Sequence, residues 1–194
     1  MKTAPLPRRA SVGQSAAGVM PRTRMLSERQ RQLHEELGIP PDYGAEGNPP
    51  YFCDAAELID VGPNLVGRMQ RLTPSAALQW QAMVAAASQY GIQLLIVSGF
   101  RSFAYQATLI RKKLDAGELI ADVLQVNAAP GFSQHHSGRA VDIATPGSRP
   151  LTEAFDETQA FVWLEKNASR FGFSMSYPPG NEAGFVYEPW HWSM

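Results

Sequence analysis

The 194 residues carry 17 lysines and arginines against 18 aspartates and glutamates, so the formal net charge is −1 and no basic field would attract nucleic acid or an anionic membrane surface. This length, with 44% hydrophobic residues, is typical of one globular domain with a real core. The only cysteine, Cys53, excludes an internal disulfide and gives no support for a thiolate metal site. No apolar run approaches the ~18 residues of a membrane-spanning helix.

The first distinct segment is residues 1–27. It holds basic residues and prolines but no acid, and this composition predicts a disordered basic tail. Residues 10–20, behind the charges, are interrupted by serine and glycine rather than forming the apolar stretch of an export signal. We therefore expect a cytoplasmic protein, with the periplasm or cell envelope as the alternative.

A capping pattern opens the remainder, residues 28–194, which we expect to form a single domain. Ser27 followed three residues later by Gln30 is a capping box, and it predicts a polar helix that ends near residue 37. His34 lies in this helix and is expected to face solvent. Residues 41–74 are rich in proline, glycine and asparagine, and are expected to wrap the surface.

The middle of the chain alternates helical and strand patterns. Residues 74–91 begin with proline after a threonine cap, which predicts a helix. Its core-facing positions recur at helical spacing: Trp80, Met83, Val84 and Ala87. An apolar run over residues 92–97 predicts a buried strand. Helices are predicted over residues 103–115 and 119–127.

The last third begins with a predicted strand over residues 140–144. Val141 and Ile143 share one face of it, and Asp142 points to the other. The later predicted elements are a helix over residues 157–170 and short strands over residues 171–175 and 185–192. Because strands and helices follow in irregular order, we expect an α+β fold rather than a wound parallel sheet.

Chemistry-bearing residues concentrate in two short segments, residues 132–142 and 187–192. Hydrolytic zinc sites use three ligands from His, Asp or Glu and keep one position for water. His135, Asp142 and His191 can supply such a set, although His136 competes with its neighbour His135. Hydrogen-bonded His–Asp pairs without a metal are equally compatible with the spacing.

Glu188 is the candidate general base beside this set. Glu188 and His191 differ in strand parity, so both can face one metal only if the backbone bends between them. Pro189 supplies a reason for that bend. Without such a carboxylate, a zinc site here would be structural.

Three motifs carry a family resemblance. Residues 133–142 read Ser-Gln-His-His-Ser-Gly-Arg-Ala-Val-Asp and match Ser-x-His-x-x-Gly-x-Ala-x-Asp, and residues 188–191 match Glu-x-Trp-His. Residues 98–102 resemble Ser-Gly-Tyr-Arg-Ser, with Phe100 in place of the tyrosine. Over residues 70–194 the chain thus resembles the zinc D-alanyl-D-alanine carboxypeptidases typified by VanY. The resemblance implies the Hedgehog/D,D-peptidase fold, a small, largely antiparallel sheet flanked by helices.

The resemblance also implies a role for each matching residue. His135, Asp142 and His191 are the Zn²⁺ ligands, Glu188 is the catalytic base, and Arg101 stabilises negative charge on the substrate or intermediate. Further substrate-binding residues are implied, two of them for the terminal carboxylate and the last as an apolar wall: Gln106, Ser133 and Trp190. Alternatively Arg101 caps a turn, Ser133 only fixes its loop, and Trp190 is core. The small residues Gly138 and Ala140 fit a backbone that passes close to the metal.

The implied activity is removal of a terminal D-Ala from peptidoglycan stem peptides or muropeptides by zinc-activated water. D,D- and L,D-carboxypeptidases share these motifs, so the configuration of the preceding residue stays open. The alternatives are an endopeptidase of the endolysin type and a noncatalytic zinc- or peptidoglycan-binding domain. A monomer without nucleic-acid or membrane partners is expected.

Overall fold

The computed structural model of the chain describes residues 26–45 and 48–194. The predicted basic tail lies outside the described residues apart from its last two, and those two belong to the folded part. Leu26 is buried, and Ser27 caps the first helix through both hydrogen bonds of the predicted capping box.

Five α-helices are found in the described residues: α1 (Glu28–Glu36), α2 (Pro74–Ser88), α3 (Phe103–Asp115), α4 (Ile120–Val126) and α5 (Gln159–Asn167). The strands there are β1 (Ile59–Pro63), β2 (Met69–Leu72), β3 (Leu95–Ser98), β4 (Ala140–Ala144), β5 (Ser174–Met175) and β6 (His191–Ser193). Short 3-10 helices span Gln134–Ser137, Glu153–Glu157 and Ala168–Phe171.

The strands form two antiparallel sheets. β1 pairs with β2, and the larger sheet has the order β3-β4-β6-β5, with every pair antiparallel. Helices pack around these sheets, so the expected α+β class with a small antiparallel sheet is confirmed. None of the helices described is long and apolar enough to cross a lipid bilayer.

Two apolar clusters hold the helices in place. One lies where α2 and α5 meet the larger sheet and includes Met83, Ile143, Leu164 and Trp192. The other joins α1, α3 and α4 and is built around Phe132. Burial of these side chains supplies the main favourable free energy of folding. Residues 133–142 connect Phe132, in the second cluster, to β4, which packs in the first. The segment that carries the first motif is therefore anchored to a packed cluster at each end.

The register of the central strands decides what reaches the site. In the β4–β6 ladder Asp142 pairs with His191, and Val141 pairs with Trp192. Alternate residues point to opposite faces of a sheet, so Val141 and Trp192 enter the core while Asp142 and His191 share the other face. The predicted separation of Asp142 from its apolar neighbours is thus observed.

Some local expectations were wrong. His34 is buried rather than solvent-facing, because its Nε2 hydrogen-bonds the carbonyl oxygen of Pro130 at 2.8 Å and its ring stacks on Phe103. The last predicted strand, residues 185–192, is strand only from His191 onward. Residues before it leave the sheet, and the amide of Val186 donates instead to the carbonyl oxygen of Gln125.

Candidate metal centre

Three buried side chains with metal-ligating atoms converge at the Asp142–His191 rung of the β4–β6 ladder. Nε2 of His135 lies 3.2 Å from Oδ2 of Asp142, and Nδ1 of His191 lies 2.9 Å from Oδ1 of the same carboxylate. One ligand atom from each residue lies within 4.8 Å of the other two. The residues that the motifs single out are therefore brought together in space.

Backbone contacts decide which histidine of the adjacent pair can offer a free nitrogen. Nδ1 of His135 lies 2.7 Å from the carbonyl oxygen of Gly99. A carbonyl only accepts, so Nδ1 carries the proton and Nε2 keeps its lone pair facing Asp142. His136 uses both ring nitrogens on the backbone: Nδ1 donates to the carbonyl oxygen of Arg101, and Nε2 accepts from the amide of Gly131.

The charge state of the cluster suits a cation. Burial, together with the nearby Arg101, lowers the pKa of His135 to about 4, so its imidazole is neutral near pH 7. Burial alone would raise the pKa of Asp142, but the adjoining His135 and His191 hold that pKa well below its ordinary value. The site thus combines a carboxylate with neutral imidazole, which are the protonation states that bind a metal.

Glu188 reaches the same cluster because the chain turns sharply before β6. The amide of His191 donates to the carbonyl oxygen of Glu188 at 3.0 Å, which closes a turn over Pro189 and Trp190. This is the bend expected at Pro189. Oε2 of Glu188 lies 4.0 Å from Nδ1 of His191. Burial and the charge of Asp142 raise the pKa of Glu188 to about 8, against the opposing effect of Arg101.

Arg101 follows β3 and points at the cluster. Its Nη2 lies 3.5 Å from Oδ2 of Asp142, and its buried Nε has no hydrogen-bond partner in the part of the chain described. The backbone of Arg101 is held on both sides, since its amide donates to the carbonyl oxygen of His135 and its own carbonyl accepts from His136. A planar guanidinium with an unused N–H is suited to bind an oxyanion or carboxylate.

A cavity of about 370 Å³ opens over these groups. Among the other predicted residues, Ser133 and Trp190 line it, whereas Gln106 does not. Gln106 is buried behind the wall, where its Nε2 donates to the carbonyl oxygen of Ala128, itself a lining residue. Direct contact between Gln106 and a substrate is therefore not what this arrangement favours.

The structure favours glycine at position 138 for a different reason from the one expected. It ends the 3-10 helix after His135 with φ of +64°, a left-handed conformation that favours glycine. A Cβ at this position would lie 3.0 Å from Cδ2 of Leu58 and 3.1 Å from Cγ2 of Thr73. The close approach is thus to the neighbouring segments rather than to the ligand atoms.

The structure adds to the site three residues to which the motifs assign no role. Oε1 of Gln134 lies 2.9 Å from Nε2 of His191. Tyr177 stacks on the His191 ring with centroids 4.8 Å apart, and its pKa is raised mainly by burial. Asn127 lines the cavity with a buried Oδ1 that no described residue satisfies. Gln134 sits inside the first motif, but only the fold shows where its side chain goes.

The donor set fits zinc. Zn²⁺ prefers four-coordinate sites with N and O ligands at about 2.0–2.1 Å, and tetrahedral geometry then separates ligand atoms by about 3.3 Å. The two imidazoles lie 3.2 and 2.9 Å from the two different oxygens of Asp142, and one ligand atom from each of the three residues lies within 4.8 Å of the others, so the three donors are within reach of one ion. Nε2 of His135 is buried and makes no hydrogen bond, as expected for an atom kept for a metal. Two imidazoles and one carboxylate leave a fourth position for water.

Comparisons with known proteins agree with this arrangement. The chain is 30% identical to a D-alanyl-D-alanine carboxypeptidase of Enterococcus faecalis over 122 residues, 58% of this chain and 44% of that protein. A solved LdcB LD-carboxypeptidase superposes with a TM-score of 0.65 at 30% identity, covering 72% of this chain and 68% of that one. A VanY D,D-pentapeptidase variant in complex with Zn(II) gives 0.56 at 28% identity, covering 74% and 79%.

These matches cover the part of the chain that contains the site. The chain spans less than half the length of the first three curated relatives that it matches. The family model described as VanY, D-alanyl-D-alanine carboxypeptidase, matches residues 69–194, which include all three motifs and every strand of the larger sheet. The chain belongs to the VanY D-alanyl-D-alanine carboxypeptidase family.

Proposed function

We propose that this chain is a zinc-dependent carboxypeptidase that removes a terminal D-Ala from peptidoglycan stem peptides. The observation that carries the proposal is the convergence of a His-Asp-His cluster, a buried glutamate and a half-buried arginine on one cavity. A noncatalytic zinc-binding module needs neither the glutamate, Glu188, nor the arginine, Arg101. Membership of the VanY family supports the same assignment.

The metal would be held by His135, Asp142 and His191. When bound, Zn²⁺ supplies a Lewis acid that lowers the pKa of a coordinated water to about 7. The hydrogen bond of His135 to Gly99 keeps that imidazole oriented toward the metal position.

Glu188 is proposed as the general base and then the general acid. It accepts a proton from the attacking water as the C–O bond forms, and it delivers that proton to the nitrogen of the departing D-Ala as the C–N bond breaks. The products are free D-Ala and a stem shorter by one residue. Its pKa is raised to about 8 in the metal-free protein, and the positive charge of a bound Zn²⁺ would lower that pKa, so that the carboxylate can accept a proton near pH 7 and release it again.

Arg101 is proposed to bind negative charge, either the terminal carboxylate of the stem or the oxyanion that develops at the scissile carbonyl. Ser133 is proposed as a further donor to that carboxylate and Trp190 as an apolar wall. For Gln106 we propose only a supporting part, through its hydrogen bond to Ala128.

The dimensions of the cavity favour the end of a peptide over cross-linked wall. About 370 Å³ accommodates a short peptide terminus, and Arg101 supplies the cation that a terminal carboxylate needs. Cleavage within a cross-link would leave this cation facing an uncharged peptide. A carboxypeptidase is therefore preferred to the endolysin-type alternative.

One assay tests the proposal. Purified, zinc-loaded protein is incubated with tetrapeptide and pentapeptide stems, with and without a chelator, and the products are identified by mass. D-Ala release from the tetrapeptide indicates L,D activity, and release from the pentapeptide indicates D,D activity. Internal cleavage would support the endopeptidase. If no stem is cleaved and Glu188→Gln equals wild type, the noncatalytic alternative is correct.

The setting of the reaction is a separate proposal. We propose that the protein acts as a monomer on released muropeptides in the cytoplasm, with the cell envelope as the alternative compartment. The described site draws all its side chains from one chain, so one copy suffices. Cell fractionation that recovers a processed periplasmic form would contradict the cytoplasmic assignment.

A further inference from the structure

The side chain of Gln134 links His191, in β6, to Ser176, the residue that follows β5. Its Oε1 lies 2.9 Å from Nε2 of His191 and accepts a hydrogen bond of 2.7 Å from Oγ of Ser176. The Ser176 hydroxyl in turn lies 2.8 Å from Oγ of Ser193, in β6. A chain of hydrogen bonds thus runs from the sheet through two serines to the glutamine and then to His191.

The direction of these hydrogen bonds has a consequence for His191. If Ser193 donates to Ser176, and Ser176 donates to Gln134, the amide oxygen of Gln134 is fixed as an acceptor toward His191. Nε2 of His191 must then carry the proton. The carboxylate of Asp142, 2.9 Å from Nδ1, is a second acceptor that competes for this proton while no metal is bound. When Gln134 keeps the proton on Nε2, the lone pair of Nδ1 faces the other ligand atoms.

We infer that Gln134 is a positioning residue that keeps the proton of His191 on Nε2 and so presents Nδ1 to zinc. This inference rests on the proposed zinc site and deepens it. In metal sites a ligating histidine usually donates its second N–H to a carbonyl or carboxylate, and loss of that partner costs about 10- to 100-fold in metal affinity. His135 has such a partner in the carbonyl oxygen of Gly99, and Gln134 gives His191 the equivalent.

A turned amide is the competing arrangement. With its NH2 group toward His191, Gln134 would donate to Nε2 and leave the proton on Nδ1, at the proposed metal position. A carboxylate can only accept, so Gln134→Glu removes this competing arrangement and keeps the hydrogen bond. Gln134→Leu removes both arrangements at similar side-chain size.

The test compares Gln134→Leu, Gln134→Glu and wild type, with Gln81→Leu on the exposed side of α2 as the matched control. Zinc dissociation constants are measured by competition with a chelating dye, and thermal unfolding of the metal-free proteins verifies the fold. We expect Gln134→Leu to bind zinc about 10- to 100-fold more weakly, and Gln134→Glu and Gln81→Leu to stay within about threefold of wild type.

A second readout follows the proton itself. Proteins with 15N-labelled histidine are compared by NMR, with and without zinc. In the zinc-loaded proteins the Nε2–H of His191 should be visible in wild type and Gln134→Glu, and should exchange rapidly in Gln134→Leu. Equal zinc affinity in wild type and a folded Gln134→Leu protein overturns the inference, as does a proton on Nδ1 in zinc-loaded wild type. A wild type that binds no zinc contradicts the proposed function, and this inference falls with it. A wild type that binds zinc as tightly as a folded Gln134→Leu protein contradicts this inference alone.

Discussion

Replacement of Glu188 by glutamine should stabilise the metal-free protein while it abolishes activity. Glu188 is 8% exposed, and its pKa of about 8 lies well above its ordinary 4.5. The folded state therefore holds a proton on Glu188 between these two pH values, where the unfolded state has lost it. Unfolding free energy must fall as pH rises through this interval, because the folded state binds more protons than the unfolded one.

The size of the effect follows from the same values. At 1.36 kcal/mol per pKa unit, Glu188 should cost the folded state about 3 kcal/mol more at pH 8 than at pH 5. Glutamine has nearly the same shape and no charge, so it avoids this cost. His135, whose pKa is lowered to about 4, has the opposite effect below about pH 6.5, but it is common to both proteins and drops out of the comparison.

The assay is urea unfolding in chelator at several pH values between 5 and 8. The stability of Glu188→Gln should exceed that of wild type by an amount that grows with pH. Glu35→Gln, an exposed glutamate in α1, is the matched control and should give no pH-dependent gap. Parallel curves for wild type and Glu188→Gln would refute the reasoning, because they would mean that Glu188 titrates alike in the folded and unfolded states.

Three further predictions concern the neighbouring residues. Arg101→Lys should lower kcat/KM about 10- to 100-fold in the stem assay, because lysine cannot bind an oxyanion through two N–H groups, whereas exposed Arg111→Lys should not. Asp142→Asn should weaken zinc binding at least about 100-fold by dye competition, since it removes the only charged ligand of the proposed set; unchanged affinity would place the metal elsewhere. Gly138→Ala should lower the unfolding free energy by about 2 to 4 kcal/mol in urea, against about 1 to 2 for Gly180→Ala, which has a similar φ but open space; equal losses would mean that only the backbone conformation matters.

Local signals in the sequence predicted the helices well. The capping box at Ser27 and the threonine-proline start of α2 are short-range devices, and both mark the observed helix starts. The α3 helix has the predicted bounds, Phe103–Asp115, because both its end signals are local: Ser102 caps its first turn, and Lys112 and Lys113 lie in its last turn. Such features need no knowledge of the rest of the fold.

Long-range contacts were beyond the sequence. His34 belongs to a polar helix, yet it is buried and hydrogen-bonds the carbonyl oxygen of Pro130, 96 residues away in the sequence. In the metal centre, spacing alone left His135 and His136 equivalent, and only the resemblance favoured His135. The physical reason is found in the hydrogen bonds of the two rings to Gly99, Arg101 and Gly131. The resemblance could not show that Gln106 lies behind the cavity wall, where its Nε2 donates to the carbonyl oxygen of Ala128, and its role toward a substrate stays a prediction.

The pairing of β4 with β6 means that zinc uptake would report whether the two strands have paired in the correct register. One register places Asp142 opposite His191 and, at the next rung, Val141 opposite Trp192. A slip by one residue would turn His191 into the apolar core and Trp192 out of it, so both errors would occur together. A chain that has mispaired these strands cannot assemble the proposed ligand set. The zinc content of a preparation would therefore measure the fraction of molecules whose sheet has formed correctly.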